Sequence, residues 1–139
     1  MILLDTNVIS EPWKADPDAA VVAWLDAQAI ETLFISSISI AELRFGIASM
    51  PRGKRQAILH NRLEGEVLPH FDERILSFNV STSRFYAELM AGARASGKAI
   101  GKADGYIAAT AAENSLAVAT RDTSPFEAAG LNVINPWVT

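Results

Sequence analysis

The sequence contains no cysteine, which excludes disulfide bonds and thiolate metal ligands. This absence fits a reducing cytoplasm. No apolar run approaches the roughly 20 residues that a membrane helix needs. The first apolar stretch has no basic residue before it and reaches Asp5 too early for a signal peptide. We therefore expect a cytoplasmic protein that does not enter a membrane.

Basic residues are not in excess either. The chain has 12 Lys and Arg against 16 Asp and Glu, a formal net charge of −4. This balance argues against a broad basic face that holds nucleic acid. The length of 139 residues favours one domain over 1–139, and the 50% apolar content is typical of a globular protein.

Short apolar segments alternate along the chain with segments of helical periodicity. Strands are predicted at 2–4, 33–35, 75–78, 116–119 and 133–134. Helices are predicted at 8–13, 19–30, 40–50, 56–68, 81–95, 103–114 and 125–129, with Pro69 ending the fourth of them. This alternation predicts a three-layer α/β/α sandwich around a mostly parallel central sheet.

Four acidic residues fall where predicted strands end or helices begin. Asp5 follows the first strand, and Asp122 follows the fourth. Glu42 lies in the first turn of the helix after the second strand, and Asp104 opens the helix that leads into the fourth. All these positions lie at the carboxyl edge of a parallel sheet, where ligands bind. We therefore expect the four carboxylates to converge there.

Each acid also has an ordinary structural explanation. Asp5 and Asp122 are suitable helix caps, Ser39 and Glu42 fit a capping box, and Asp104 is favourable near the start of a helix. Four carboxylates at one edge nevertheless repel one another unless cations compensate. The set as a whole therefore points to a cation site.

The available ligands are hard oxygens, because there is no cysteine and both histidines, His60 and His70, lie in a distant helical region. Oxygen ligands select Mg²⁺ or Mn²⁺ over zinc. Two such ions roughly 3.5–4 Å apart would activate a water and stabilise the departing oxygen of a phosphodiester. A phosphatase that uses Asp5 as nucleophile usually has a second acid two positions later, where this chain has Asn7.

Several polar residues next to the acids are candidate supporting residues. Thr6, Asn7 and Thr120 could orient a ligand or a water, and Arg121 or Lys102 could contact substrate phosphate. Ordinary turn and cap roles remain open for all of them. A solvated loop and an RNA-facing patch are both open for the basic cluster 52–55. Core or subunit contacts are the interpretation for the aromatic residues Trp24, Phe45, Phe85 and Tyr106.

The segments around the acids resemble one family. They read LLDTNVISE at 3–11, IAELRFG at 40–46, ADGYIAATA at 103–111, ATRDT at 119–123 and GLNVINPW at 130–137. In this order and spacing they resemble PIN-domain ribonucleases of the VapC type, the toxins of toxin–antitoxin pairs, and within these the FitB-like branch. Gly105 stands where that family often has a bulkier residue.

The resemblance implies a metal-dependent endoribonuclease with a PIN-domain fold. Its catalytic and metal-binding quartet would be Asp5, Glu42, Asp104 and Asp122, with Mg²⁺ or Mn²⁺ as cofactor and RNA as substrate. It also implies a homodimer, possible higher assembly with a cognate antitoxin that inhibits the toxin, and contact with operator DNA only through that antitoxin. The alternative is a binding module that acts mainly through the antitoxin–operator complex, with little catalysis.

Overall fold

Residues 1–138, which the computed structural model describes, form five β-strands and eight α-helices. The strands are β1 (Ile2–Leu4), β2 (Leu33–Ser36), β3 (Ile75–Leu76), β4 (Ala117–Ala119) and β5 (Val133–Ile134). The helices are α1 (Thr6–Ser10), α2 (Ala19–Ala27), α3 (Ser37–Ala48), α4 (Lys54–Arg62), α5 (Leu68–His70), α6 (Val80–Ala95), α7 (Lys102–Glu113) and α8 (Thr123–Ala128). Two 3₁₀ turns cover Glu11–Trp13 and Ile30–Thr32.

The sheet has the order β3-β2-β1-β4-β5, and every pair is parallel. The first strand of the chain is therefore central. Its side chains alternate between the two faces, as strand geometry requires. Leu4 packs with Val8 and residues of α3, and Leu3 packs with Ile107 and residues around it. Both leucines are buried, which explains the uninterrupted apolar run at the start of the sequence.

The helices cover both faces of the sheet. Apolar residues of α1 to α5 pack on one face, and those of α6, α7 and α8 pack on the other. The predicted three-layer α/β/α sandwich is confirmed. Among residues 1–138, no helix is long and apolar enough to cross a membrane.

Helices α6 and α7 run antiparallel. Thr82, near the start of α6, donates a hydrogen bond to Glu113 at the end of α7. Gly105, near the start of α7, lies against Tyr86 and Met90, and a Cβ atom there would come 2.8 Å from the Met90 sulfur. The glycine therefore allows the two helices to approach closely.

The start of α3 differs from the prediction. Ser36 ends β2, and its hydroxyl accepts a hydrogen bond from the Ile38 N–H, so that the helix begins at Ser37. The predicted helix start at 40 and the capping box of Ser39 with Glu42 are therefore wrong. Glu42 consequently lies in the second turn of α3, because the helix starts directly after the strand.

The predicted helix end at Pro69 is also wrong. Helix α4 continues through a π-helical turn, Leu63–Val67, into α5, which ends at His70. Pro69 lies within this continuous helical segment, one residue after the start of α5. The strand predicted at 75–78 ends earlier, at Leu76.

Candidate active site

Asp5 lies at the end of the central strand and is only 6% exposed. One carboxylate oxygen, Oδ1, accepts a hydrogen bond from the Thr6 N–H at 2.8 Å, which makes Asp5 the N-cap of α1. The other oxygen, Oδ2, accepts from the Thr120 hydroxyl at 2.8 Å. Asp5 therefore caps a helix and also contacts the end of a neighbouring strand.

The register of the sheet explains the Thr120 contact. Leu4 pairs with Ala119 in the parallel ladder, and the Asp5 N–H donates to the Ala119 carbonyl at 2.9 Å. The next residues of the two strands, Asp5 and Thr120, therefore lie side by side. The Thr120 hydroxyl also accepts from the Asp122 N–H at 3.1 Å. Thr120 thus links Asp5 and Asp122, two of the four acids that were predicted to converge.

Asp122 occupies the N-cap position of α8, but its side chain makes no capping hydrogen bond there. The carboxylate is exposed. The cap explanation, which was open from the sequence, does not account for this acid. Its side chain is available to the cleft beside Asp5.

Glu42 is held by α1. The Thr6 hydroxyl donates to Glu42 Oε1 at 2.7 Å, and the buried Ser39 hydroxyl is hydrogen-bonded to the same Thr6 oxygen at 3.0 Å. Thr6 therefore contacts two of the four acids, Asp5 through its N–H and Glu42 through its hydroxyl. Ser39 was considered only as a cap in the sequence.

Asp104 lies in the first turn of α7, whose N-cap, Gly101, has no side chain to offer. This acid is half-buried. The start of α7 lies at the carboxyl edge of the sheet, because the helix leads into β4. Asp104 therefore faces the strand ends from the opposite helix layer to that of Glu42.

The four acids line one cleft of about 360 Å³. Its lining is entirely polar or acidic and consists of Asp5, Thr6, Asn7, Ser10, Glu42, Asp104 and Asp122. Ser10 was not predicted; it follows Asn7 by three positions on α1, a spacing that places both on one face. The sequence-predicted quartet is therefore together in space.

The charge of the cleft is not neutralised by protein groups. Residues 1–138 contain two ion pairs, Lys14–Glu11 and Arg44–Glu64, and neither involves the quartet. An uncompensated set of oxygen ligands fits a divalent cation such as Mg²⁺ or Mn²⁺. Across the same residues, no three His, Asp or Glu side chains are already gathered into a metal-binding group. The carboxylate oxygens are therefore suitable ligands for such a cation, and the side chains that carry them line an open cleft.

The electrostatics of the cleft disfavour ionised carboxylates. Burial raises the pKa of Asp5 to about 6, against the opposing hydrogen bonds from Thr120 and Thr6, and the charges of Asp104 and Glu42 add to the increase. Burial likewise raises the pKa of Asp104, helped by Asp122 and Glu42. A cation in the cleft would remove this penalty.

The other candidate residues are placed as follows. Asn7 lines the cleft, and its Oδ1 accepts from the Arg121 N–H at 3.5 Å. The Arg121 guanidinium lies over the Trp137 ring, 5.4 Å from its centre. Phe45 is 75% exposed, so the core interpretation is wrong for this residue. Its role as a subunit contact stays a prediction.

Comparison with known proteins gives the family. The model of the PIN domain matches residues 2–131. VapC ribonuclease Y4jK of Sinorhizobium fredii is 69% identical over 137 residues, which cover 99% of this chain and 98% of the relative. Toxin FitB of Neisseria gonorrhoeae is 53% identical over 137 residues and 99% of each chain. A chain in the structure of FitAB bound to an IR36 DNA fragment matches with a TM-score of 0.97 and 50% identity, over 100% of this chain and 97% of that one.

Proposed function

Because this chain belongs to the PIN domain family, among the VapC and FitB toxins, we propose that it is a metal-dependent endoribonuclease. It acts as a single domain over 1–139 and as the toxin of a toxin–antitoxin pair. The observation that carries the catalytic part is the cleft where Asp5, Glu42, Asp104 and Asp122 meet without a basic partner. The names of the relatives support RNA as the substrate.

The four carboxylates would hold Mg²⁺ or Mn²⁺, with Asp5 and Asp104 as the most direct ligands. A bound cation would act as a Lewis acid that activates a water molecule and offsets the charge of the phosphate. Asp5 and Glu42 are oriented for this role by Thr6. Thr120 fixes the second oxygen of Asp5. These contacts hold the acids in place, which limits the reorganisation that substrate binding requires.

The proposed partners follow from the relatives and from the charge of the chain. A relative was solved as FitAB bound to DNA, and we assign to this chain a cognate antitoxin that supplies the DNA contacts. The net charge of −4 supports contact with the operator through the antitoxin rather than through the toxin. A homodimer, with possible higher assembly around the antitoxin, completes the proposal.

Cleavage of RNA by protein freed of antitoxin tests the catalytic proposal. We expect a cellular RNA pool to stay intact in EDTA and to be cut after Mg²⁺ or Mn²⁺ is added. Asp104→Asn and Asp122→Asn should lower the rate by more than the roughly 10–100-fold that outer-shell changes cause. Asp18→Asn, at the N-cap of α2 and outside the cleft, is the matched control and should keep its activity.

Two results would contradict this proposal. One is RNA cleavage that continues in EDTA or in the Asp104→Asn and Asp122→Asn variants. The other is growth inhibition, on expression, that survives the combined loss of Asp5 and Glu42. The second result would make a binding module the better account.

A further inference from the structure

The segment 94–102, from the last turn of α6 to the first residue of α7, carries three exposed cationic side chains, Arg94, Lys98 and Lys102, and is called the basic connection below. None of them takes part in the two ion pairs found in residues 1–138. Some other cations are engaged: Arg55 donates to the Trp13 carbonyl, and Arg74 donates to the Leu33 carbonyl. In this acidic chain, the connection is therefore a local concentration of uncompensated positive charge.

This basic connection adjoins the acidic cleft. Gly105 of α7 lies against Met90 of α6, and the helices are antiparallel. Arg94 follows Met90 by about one helical turn, or about 5.4 Å, in the direction of the start of α7. At that start, the Cβ position of Gly101 is 3.9 Å from the Asp104 carboxylate. The connection thus leads directly to one of the four acids.

Backbone hydrogen bonds fix the shape of the connection. Gly97 has a φ of +73°, its N–H donates to the Arg94 carbonyl at 3.1 Å, and the Lys98 N–H donates to the Ala93 carbonyl at 2.9 Å. These two bonds form a Schellman motif, which ends α6 and sets the direction of the chain. The backbone that carries Arg94 and Lys98 is consequently ordered, although both side chains lie in solvent.

The same turn encloses a concave surface of about 640 Å³. Met90, Ala91 and Ile100 contribute apolar lining, and Arg94 and Lys98 contribute the charges. Apolar contacts suit an unstacked base, and cations suit the phosphates on either side of it. This combination matches a nucleotide unit of a single strand better than it matches a purely anionic ligand.

We propose that single-stranded RNA reaches the acidic cleft over this basic connection, where Arg94, Lys98 and Lys102 contact its phosphates. This inference rests on the proposed ribonuclease function and adds the route of the substrate. It places the substrate-binding cations on the α7 side of the cleft. The cluster 52–55, for which an RNA-facing patch was left open from the sequence, follows the end of α3, whereas Glu42 lies in the second turn of that helix.

Steady-state cleavage of an RNA that the wild-type protein cuts tests this route. The test variant changes Arg94, Lys98 and Lys102 together to glutamine. The control removes the same number of charges elsewhere, at Arg52, Lys54 and Arg84. Thermal unfolding of both variants verifies the fold, and Lys98→Gln alone serves as the test if the triple variant unfolds.

Three phosphate contacts to a single strand predict a clear result. We expect kcat/KM of the test variant to fall by about 100-fold at 0.1 M salt, while kcat at saturating RNA changes little. The slope of log kcat/KM against log salt concentration should become shallower by about 2, since each contact contributes roughly 0.7. The control variant should keep the slope of the wild type.

The outcomes separate this inference from the function on which it rests. If the wild type cuts RNA and both variants show equal kcat/KM and equal salt slopes, the route is wrong and the ribonuclease function stands. A loss of kcat without a change in KM also overturns the route, because it would indicate a disturbed cleft. If the wild type cuts no RNA with either metal, the ribonuclease function and the route fail together.

Discussion

Replacing Asp5 by asparagine is expected to stabilise the metal-free protein above pH 6 while removing its activity. The side chain is 6% exposed, and burial raises its pKa from the ordinary 3.8 to about 6. One pKa unit corresponds to about 1.4 kcal/mol. Ionisation of Asp5 therefore costs the folded protein about 3 kcal/mol relative to the unfolded chain. An amide avoids this cost and still accepts from the Thr6 N–H.

The sign of the pH dependence follows from proton linkage. Since folding raises the pKa of Asp5, the folded state binds the proton more tightly than the unfolded chain. The contribution of this acid to stability is fully present below about pH 4 and is lost as the pH rises through 6. The gain of Asp5→Asn should therefore be small at pH 4 and should approach about 3 kcal/mol at pH 8.

Urea unfolding in EDTA at both pH values measures this gain, which corresponds to a rise in Tm on the order of 10 °C at pH 8. Asp18→Asn is the matched control, because Asp18 also caps a helix but lies outside the cleft. Added Mg²⁺ should stabilise the wild type, by about 2.7 kcal/mol at 100 times its Kd, and should leave the variant unchanged. Equal stability of variant and wild type at pH 8, or an equal gain at pH 4, would refute the reasoning.

Three further substitutions test individual contacts. Thr120→Val removes the hydroxyl that donates to Asp5, so the pKa of Asp5 should rise further. The pH profile of kcat/KM should then shift to higher pH, whereas Thr120→Ser should keep the profile of the wild type. Gly105→Ala should lower the free energy of unfolding in urea by about 1–3 kcal/mol through overpacking against the Met90 sulfur, and Met90→Ala in the same chain should restore part of the loss. Phe45→Ala should change stability by less than about 0.5 kcal/mol because the ring is 75% exposed; a larger loss measured by thermal unfolding would mean that an assembly covers it.

The fold was largely predictable because the features that define a parallel α/β fold are visible as patterns in the sequence. Buried parallel strands appear as short apolar runs, and the right-handed parallel connections leave few topologies. The placement of Asp5 and Asp122 at one edge of the sheet followed from this topology, whereas the pairing of β1 with β4, which makes them neighbours, is seen only in the structure. The catalytic role of these acids stays a prediction.

The helix boundaries that were predicted wrongly lie where several residues could start or end the helix. Three serines, at 36, 37 and 39, offered several possible caps, and the sequence does not show that Ser36 would be preferred over Ser39. Pro69 was taken as a stop, but a π-helical turn before it changes the hydrogen-bond pattern. Such choices are decided by tertiary packing rather than by local propensity.

Of the basic connection, only Lys102 was a candidate from the sequence, and Arg94 and Lys98 were missed for a related reason. Arg94 and Lys98 belong to two different elements, a helix end and a loop, whereas the cluster 52–55 is contiguous and therefore conspicuous. The antiparallel packing of α6 on α7 places the end of α6, which carries Arg94, beside the start of α7, which carries Asp104. The glycine at 105, noted in the sequence as unusual, was the available signal for that close packing.

The position of β1 between β2 and β4 also bears on when the cleft can form during synthesis. Asp5 is made 115 residues before its hydrogen-bond partner Thr120. At a translation rate of about 5–20 residues per second, roughly 6–23 s pass between the two. A nascent chain lacks β4, Asp104 and Asp122 for most of this interval. The acidic cleft therefore stays incomplete until the chain has been made as far as Asp122.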